Sequence, residues 1–177
     1  MRAILFLLLT SYAFAESNFD FSKKFSGTFN GKKLEYTAKV YEKVIFERDD
    51  STKPLASFVV TEYSVDNQKN RPVMFSFNGG PGSASLWLHM GVLGPKVVKV
   101  PSDASDDGSP PYNLINNKLS PLDKADLVFI DPIGTGYSRP LGEHEGKEFW
   151  GVKQDAVVIA EFILSLIHIS EPTRLDH

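Results

Sequence analysis

The patterned part of the chain opens with two stretches in which apolar and polar residues alternate. From Lys33 the sequence LEYTAKVYEKVIFER alternates in this way and is rich in β-branched and aromatic residues, which indicates a half-buried strand. After a turn-forming cluster, Asp49 to Pro54, the stretch ASFVVTEYSV repeats the alternation. We therefore predict an antiparallel hairpin at the start of the domain.

Two short apolar runs later in the chain end at glycine-rich turns. VMFSF ends at the segment Asn78 to Gly82, and Leu127 to Ile130 ends shortly before the turn Gly134 to Gly136. Runs of this length, bounded by turn residues, are typical of buried strands. Between them, Ser83 to Met90 have the polar start and apolar body of a short helix.

The last patterned segment, from Glu148, has apolar residues at helical spacing with charges between them, so we predict an amphipathic helix. Its expected inward face consists of Phe149, Val152, Ala156, Ile159, Ala160 and Ile163. Antiparallel strands followed by alternating strands and helices predict an α/β fold with a mixed sheet. In such sheets functional groups collect at the carboxyl ends of the strands, where both glycine turns fall.

Composition narrows the classes of function. The 19 Lys plus Arg and 22 Asp plus Glu give a formal net charge of -3, so we expect no nucleic acid partner. The chain has no cysteine, which excludes disulfides, thiolate metal sites and a cysteine nucleophile. The sequence shows no cluster of metal ligands, and we expect neither a metal nor an organic cofactor.

The first residues have the layout of a secretory signal peptide. Arg2 precedes the apolar run Ala3 to Leu9, and Ala13 and Ala15 supply small residues for a cut after residue 15. The run is shorter than the roughly 20 residues that span a bilayer, and a buried strand or helix is the alternative. We therefore predict that residues 1–15 are a signal peptide and that residues 16–32 are an N-terminal extension. The protein is then expected to be secreted or periplasmic, with no membrane span after cleavage.

The other end of the chain carries an unusual string. Leu164 to Arg174 read LSLIHISEPTR, which resembles the translation of an adapter used in DNA library preparation. We therefore interpret residues 164–177 as an artefactual tail. A natural helix that continues to Pro172 is the alternative.

The glycine-rich segment after the third predicted strand, FNGGPGSAS, suits one kind of chemistry. Glycines directly after a buried strand let backbone N–H groups approach a ligand closely. An oxyanion hole needs such donors within about 3 Å of the oxygen that becomes negative in acyl transfer. A tight turn with positive φ is the structural alternative. A phosphate loop is disfavoured because the GxxxxGK[ST] pattern is missing.

Three motifs occur in order along the chain: NGGPG at Asn78 to Gly82, LGP at Leu93 to Pro95, and D-P-x-G-x-G-[FY]-S at Asp131 to Ser138. Together they resemble the serine carboxypeptidases of the peptidase S10 family, over about Lys33 to Ile163. The resemblance implies that residues 33–163 are the N-terminal part of a catalytic domain with an α/β-hydrolase-type mixed sheet that begins with the hairpin.

The resemblance also implies an activity and a set of site residues. The family hydrolyses the C-terminal peptide bond of peptides and proteins through an acyl-enzyme, with a Ser, Asp and His triad. Asn78 matches the asparagine that binds the substrate's terminal carboxylate. Gly80 matches an oxyanion donor, and Gly79 would shape the same turn. Trp87 matches a residue that lines the pocket for the leaving residue, although a hydrophobic residue on a short helix more often belongs to the core.

Some positions depart from the family pattern. Ser76 stands where many members have Trp, and Val92 stands where a carboxylate-binding Glu often precedes LGP. The sequence contains no G-x-S-x-G nucleophile elbow. We interpret Ser83, Ser85 and Ser138 as helix-start or turn residues that bond local backbone. The catalytic triad is therefore absent from this chain, and we expect no peptidase activity from it alone.

Two other functions stay open at this level. Proline iminopeptidases and related acyltransferases have a similar HGGPG loop, but Asn78 replaces its His, and Ile133 departs from their following motif. The second alternative belongs to a different class of function: a secreted, non-catalytic binding module that is complete as it stands.

Overall fold

A computed structural model describes residues 20–79, 82–101, 103, 105 and 109–170, without the side chains of 168–170. The predicted signal peptide, residues 1–15, and the proposed oxyanion donor Gly80 lie outside the described residues. The architecture is mixed α/β, with a largely antiparallel sheet and one long helix.

A six-stranded sheet forms the centre of the fold. The strands of the fold are β1 (Asp20–Phe29), β2 (Lys32–Glu47), β3 (Asp50–Val65), β4 (Val73–Ser76), β5 (Lys96–Val98), β6 (Leu114–Asn116), β7 (Asp126–Ile130) and β8 (Arg139–Pro140). The central sheet has the order β1-β2-β3-β7-β4, with β8 paired to β3, whereas β5 and β6 form a separate two-stranded sheet.

The predicted hairpin is confirmed as β2 and β3, which pair antiparallel with Tyr41 opposite Val60. One strand precedes it: β1 pairs antiparallel with β2 along its whole length. The segment that we described as an N-terminal extension therefore contains a strand of the sheet, which the sequence analysis did not predict.

The predicted strands β4 and β7 are also confirmed, and they lie side by side. β7 is antiparallel to β3 and parallel to β4, with Val73 opposite Asp126 and Ser76 opposite Phe129. The carboxyl ends of β4 and β7 therefore meet at one edge of the sheet. The two glycine-rich turns leave the sheet from this edge.

The helical elements are short except for the last one. Helix α1 (Leu86–Leu88) continues as a π-helical turn over His89–Leu93, which the N–H of Gly94 closes by donating to the His89 carbonyl at 2.9 Å. The helix predicted over Ser83 to Met90 thus begins and ends about a turn later. Two 3₁₀ turns, Pro121–Asp123 and Gly146–Phe149, and helix α2 (Val152–Ser170) complete the fold.

Two apolar clusters cover opposite faces of the sheet because side chains alternate along β7. Val128 and Ile130 point into the cluster beneath α2, whereas Leu127 and Phe129 point into the other. The first cluster joins β3 to α2 through Phe58 and Phe162, whose ring centroids are 4.6 Å apart.

The predicted inward face of the last helix is partly wrong. Ile159 is buried and Ile163 is half-buried as expected, but Val152 is 88% exposed. Ala156 and Ala160 are also exposed. The helix instead turns the stripe Val158, Ile159, Phe162 and Leu166 toward the sheet. This rotation buries a phenylalanine and branched side chains in place of two alanines, which removes more apolar area from water.

Helix α2 includes Leu164 to Ser170, the first part of the segment that we interpreted as an adapter-derived tail. A helical conformation does not distinguish an adapter-derived segment from a natural one, so that interpretation stays a prediction. Within the described residues, no helix combines the length and apolarity that crossing a bilayer requires.

Candidate functional site

The loop that follows β4 is on the surface at the edge where β4 and β7 end. Gly79 is exposed, and a Cβ built on it would meet no heavy atom within 4 Å. The positive φ in the described part of this loop belongs to Gly82, at +97°. The backbone conformation at position 82 therefore requires a glycine, whereas Gly79 leaves the main chain open to an approaching ligand.

Asn78 is half-buried and is held inside this loop by two serines. Its backbone N–H donates to Ser85 Oγ at 3.1 Å, and its side-chain Nδ2 donates to Ser83 Oγ at 3.0 Å. A primary amide has two N–H donors, so the bond to Ser83 uses one of them. The side chain is thus oriented by the protein before any ligand arrives.

Ser85 connects the loop to the end of β7. Its hydroxyl accepts the bond from Asn78 and donates to the carbonyl of Ile130, and its backbone N–H donates to Asp131 Oδ1 at 2.8 Å. The side chain is buried, at 1% exposure, and it does not cap α1. Ser85 is thus a residue at the start of α1 that bonds nearby backbone, as we interpreted it, but two of its partners are distant in sequence, on β7 or directly after it.

Asp131 accepts this bond from a partly buried position. Burial raises the pKa of its carboxyl, and the hydrogen bond from the Ser85 N–H opposes that rise. Gly136 packs against the same carboxyl group: its φ is +52°, and a Cβ built on it would lie 2.1 Å from Asp131 Oδ2. The last glycine of the second motif is therefore required both for its backbone conformation and for the space that the carboxyl occupies.

The second glycine turn is closed on itself and anchored to β3. The Gly134 N–H donates to the Ser138 carbonyl at 3.1 Å, and the Ser138 N–H donates to the Thr135 carbonyl at 2.9 Å. Ser138 Oγ is fully buried and accepts the Val59 N–H at 2.9 Å. Ser138 is thus a turn residue, as we interpreted it, but its side chain bonds the backbone of β3 rather than local backbone.

A small cavity of about 80 Å³ is lined by Ser85, His89 and Asp131 among others. These three residue types could suggest a catalytic relay, but their contacts do not form one. His89 Nε2 contacts the Tyr63 hydroxyl at 2.6 Å, and the Ser85 hydroxyl is bonded to main-chain groups. Burial lowers the pKa of His89 to about 4, so its ring is neutral at neutral pH.

The remaining family positions are distributed around the loop. Trp87 is 71% exposed, which excludes its assignment to the core and leaves its ring at the surface beside the loop. Ser76 is buried at the end of β4, while Val92 is exposed. The Val92 carbonyl accepts a hydrogen bond from Asn117 Nδ2 at 2.7 Å. Over residues 20–79, 82–101 and 109–170, no three acidic or histidine side chains gather into a potential metal site.

Comparison with known proteins agrees with the motifs. The serine carboxypeptidase family, Peptidase S10, matches residues 50–165, which include both glycine turns, β4, β7 and most of α2. The chain belongs to the serine carboxypeptidase family. The resemblance that the sequence suggested is confirmed by this match.

Relatives of this family member include the pheromone-processing carboxypeptidase KEX1 of Saccharomyces cerevisiae. The protein of strain JAY291 is 33% identical over 102 residues, which cover 57% of this chain and 12% of that relative. The protein of strain S288c is 33% identical over the same length and is covered to 13%. The chain thus spans a small part of the curated relatives that it matches.

Asn78 and Gly79 lie in the loop directly after β4, where the sequence pattern predicted a turn, whereas the contact between Ser85 and Asp131 was not predicted. Both residues lie within the quoted motifs, at the last position of FNGGPGSAS and the first position of the second motif. Their contact depends on the pairing of β4 with β7, which the sequence pattern does not show.

Proposed function

We propose that this chain supplies the substrate-binding part of a serine carboxypeptidase site, in which the loop after β4 binds the free C-terminal end of a peptide. The observation that carries the proposal is the position of Asn78, which is half-buried, oriented by Ser83 and placed where two parallel strands end. Membership of the family supports the type of reaction.

Two chemical functions are assigned to this loop. The side-chain amide of Asn78 donates to the terminal carboxylate, and a charged acceptor makes such a bond stronger than a neutral one. Backbone N–H groups of Gly79 and Gly80 hold the oxygen that becomes negative during acyl transfer. Gly79 is exposed directly after β4, and a Cβ built on it would meet no heavy atom within 4 Å, so a ligand can approach the main chain there.

The chain contains no G-x-S-x-G elbow, so we assign the nucleophile, base and acid of the triad to none of its residues. An oxyanion hole does not replace an attacking group. We therefore expect the purified chain to show no turnover of an N-acylated Phe-Leu dipeptide in a ninhydrin or mass-spectrometric assay. Turnover that a serine-directed inhibitor abolishes would contradict this assignment.

Binding tests the proposal independently of turnover. The chain is titrated with N-acetyl-Phe-Leu as the free acid and, separately, as its C-terminal amide, and affinity is measured by isothermal titration calorimetry. The free acid binds more tightly, because only it carries the charge that Asn78 recognises. Asn78→Ala removes that preference, whereas Asn113→Ala, a change at an exposed asparagine near β6, leaves it intact. Equal affinities for acid and amide would refute the proposal.

We further propose that the protein is exported, on the pattern of residues 1–15. Expression of the natural gene and N-terminal sequencing of the processed protein tests this. A mature chain that begins near Glu16 is the expected result, and an unprocessed Met1 in the cell interior would contradict it.

A further inference from the structure

Ser85 forms hydrogen bonds both to the loop after β4 and to the end of β7. Its hydroxyl accepts the backbone N–H of Asn78 at 3.1 Å and donates to the Ile130 carbonyl, the last carbonyl of β7. A hydroxyl has one donor and two acceptor lone pairs, so these two bonds occupy its donor and one acceptor. The Asn78 peptide is thereby connected to the end of β7 through a single buried atom.

Asp131 fixes Ser85 from the other side. Its Oδ1 accepts the Ser85 N–H at 2.8 Å, which joins residues that are 46 positions apart in the chain. Gly136, where a Cβ would lie 2.1 Å from Oδ2, leaves the carboxyl space to reach this position. The carboxyl therefore holds the backbone of Ser85, and the hydroxyl of Ser85 holds the backbone of Asn78.

We infer that Ser85 and Asp131 are positioning residues for substrate binding: they hold the peptide that carries Asn78 in the conformation that presents its side chain to a peptide carboxylate. The inference rests on the proposed function for its consequence in binding. Neither residue contacts the substrate in this account. Their effect is transmitted through the main chain of the loop after β4.

The alternative explanation is that Ser85 and Asp131 contribute only to general stability. Ser138 provides a matched control, because it is also a fully buried serine in a glycine-rich turn and its Oγ also accepts one backbone N–H, that of Val59, at 2.9 Å. Among the residues that the structure describes, the bonds of Ser138 go to Val59, Gly134, Thr135 and Arg139, and none goes to the loop that carries Asn78. Ser85→Ala and Ser138→Ala should both lower the urea midpoint, but only Ser85→Ala should affect the loop.

The first measurement does not depend on any ligand. Hydrogen exchange of the Asn78 backbone amide is followed by NMR in the wild-type chain, in Ser85→Ala and in Ser138→Ala, at a temperature where all three are folded. Loss of one hydrogen bond should accelerate Asn78 exchange about tenfold in Ser85→Ala, and the Ser138→Ala rate should match the wild type. Equal acceleration in both variants, or none in either, would overturn the inference.

A second pair of variants covers the case in which Ser85→Ala does not fold. Asp131→Asn keeps an oxygen that can accept the Ser85 N–H, whereas Asp131→Ala removes it. We expect exchange at Asn78 to stay near the wild-type rate in Asp131→Asn and to rise several-fold in Asp131→Ala. The same rate in both variants would show that the carboxyl does not hold the loop.

The binding measurement then separates the inference from the proposed function. Ser85→Ala should weaken binding of the free-acid dipeptide about tenfold while Ser138→Ala leaves it unchanged. If the wild-type chain shows no preference for the free acid, the proposed function fails, and the exchange rates still decide whether Ser85 and Asp131 hold the loop. If the preference exists and Ser85→Ala retains it in full, the inference fails and the proposed function stands.

Discussion

Phe162 offers a sharp test of how α2 is attached to the sheet. Its side chain is 0% exposed, and its ring packs 4.6 Å from the ring of Phe58, centroid to centroid. Phe162→Ala removes this contact and leaves a cavity between the helix and β3. Truncations of buried phenylalanine cost about 3–5 kcal/mol, a large part of the roughly 5–15 kcal/mol that stabilises an ordinary domain.

The assay is urea unfolding followed by far-ultraviolet circular dichroism. With a slope of about 2 kcal/mol per molar urea, a loss of about 4 kcal/mol lowers the midpoint by about 2 M. Leu164→Ala is the matched control on the same helix, because Leu164 is 53% exposed. Such surface changes alter the free energy of unfolding by no more than about 0.5 kcal/mol. A Phe162→Ala midpoint within error of the Leu164→Ala midpoint would refute the packing described for α2.

Three further predictions concern titratable and charged side chains. Arg71 Nε pairs with Asp126 Oδ1 at 2.8 Å, and the Arg71 side chain is only 9% exposed. Arg71→Met should therefore lower the free energy of unfolding by about 3–5 kcal/mol, and a loss below about 1 kcal/mol in urea unfolding would contradict this. The hydrogen bond to Glu148, at 2.9 Å, is the main cause that raises the pKa of His144 above 6.5, so the stability it contributes is present below that pH and is lost as the pH rises through the folded pKa. His144→Gln should therefore lower the urea midpoint in mildly acidic buffer but not in alkaline buffer, and a loss seen only in alkaline buffer would contradict this. Burial lowers the pKa of His89 to about 4, so as the pH falls from 6.5 toward 4 the unfolded chain binds a proton at this ring before the folded chain does, and the free energy of unfolding falls. An NMR titration of the His89 ring should show a midpoint near 4, and a midpoint near 6.5 would show that the ring is not buried.

Strands in which apolar and polar residues alternate, or in which nearly all residues are apolar, could be predicted from the sequence. Strand β1 has neither pattern and could not be predicted. In β2 and β3 the alternation extends over many residues, and in β4 and β7 short apolar runs end at glycine-rich turns. β1 reads DFSKKFSGTF, and only Phe25, Gly27 and Phe29 alternate inward. Since the middle one of these has no side chain, the period-2 signal is lost.

The face of a helix depends on what it meets, which is a property of the folded chain. The spacing from Phe149 to Ile163 fits a helix in more than one rotation, and the neighbouring residues Val157 and Val158 are 46% and 9% exposed. The sheet selects the rotation that buries Phe162 against Phe58. A sequence pattern alone indicates the helix but not this choice.

The loop of the site could be located from its glycines, but the hydrogen bonds that hold it could not. Asn78 and Gly79 follow a recognisable strand, so their position at a strand end was predictable. The contact between Ser85 and Asp131 joins positions 46 apart and exists only because β7 inserts beside β4. Parallel pairing of this kind brings the ends of distant motifs together without leaving a local sequence signal.

Recognition of a peptide's free carboxylate by Asn78 is the central proposal for this protein. The direct measurement is the NMR signal of the Asn78 side-chain amide, recorded while N-acetyl-Phe-Leu is added as the free acid or as the C-terminal amide. We predict that the amide resonances of Asn78 move progressively with the free acid and stay in place with the amide. Unchanged resonances at saturating free acid, or equal movement with both compounds, would contradict the account.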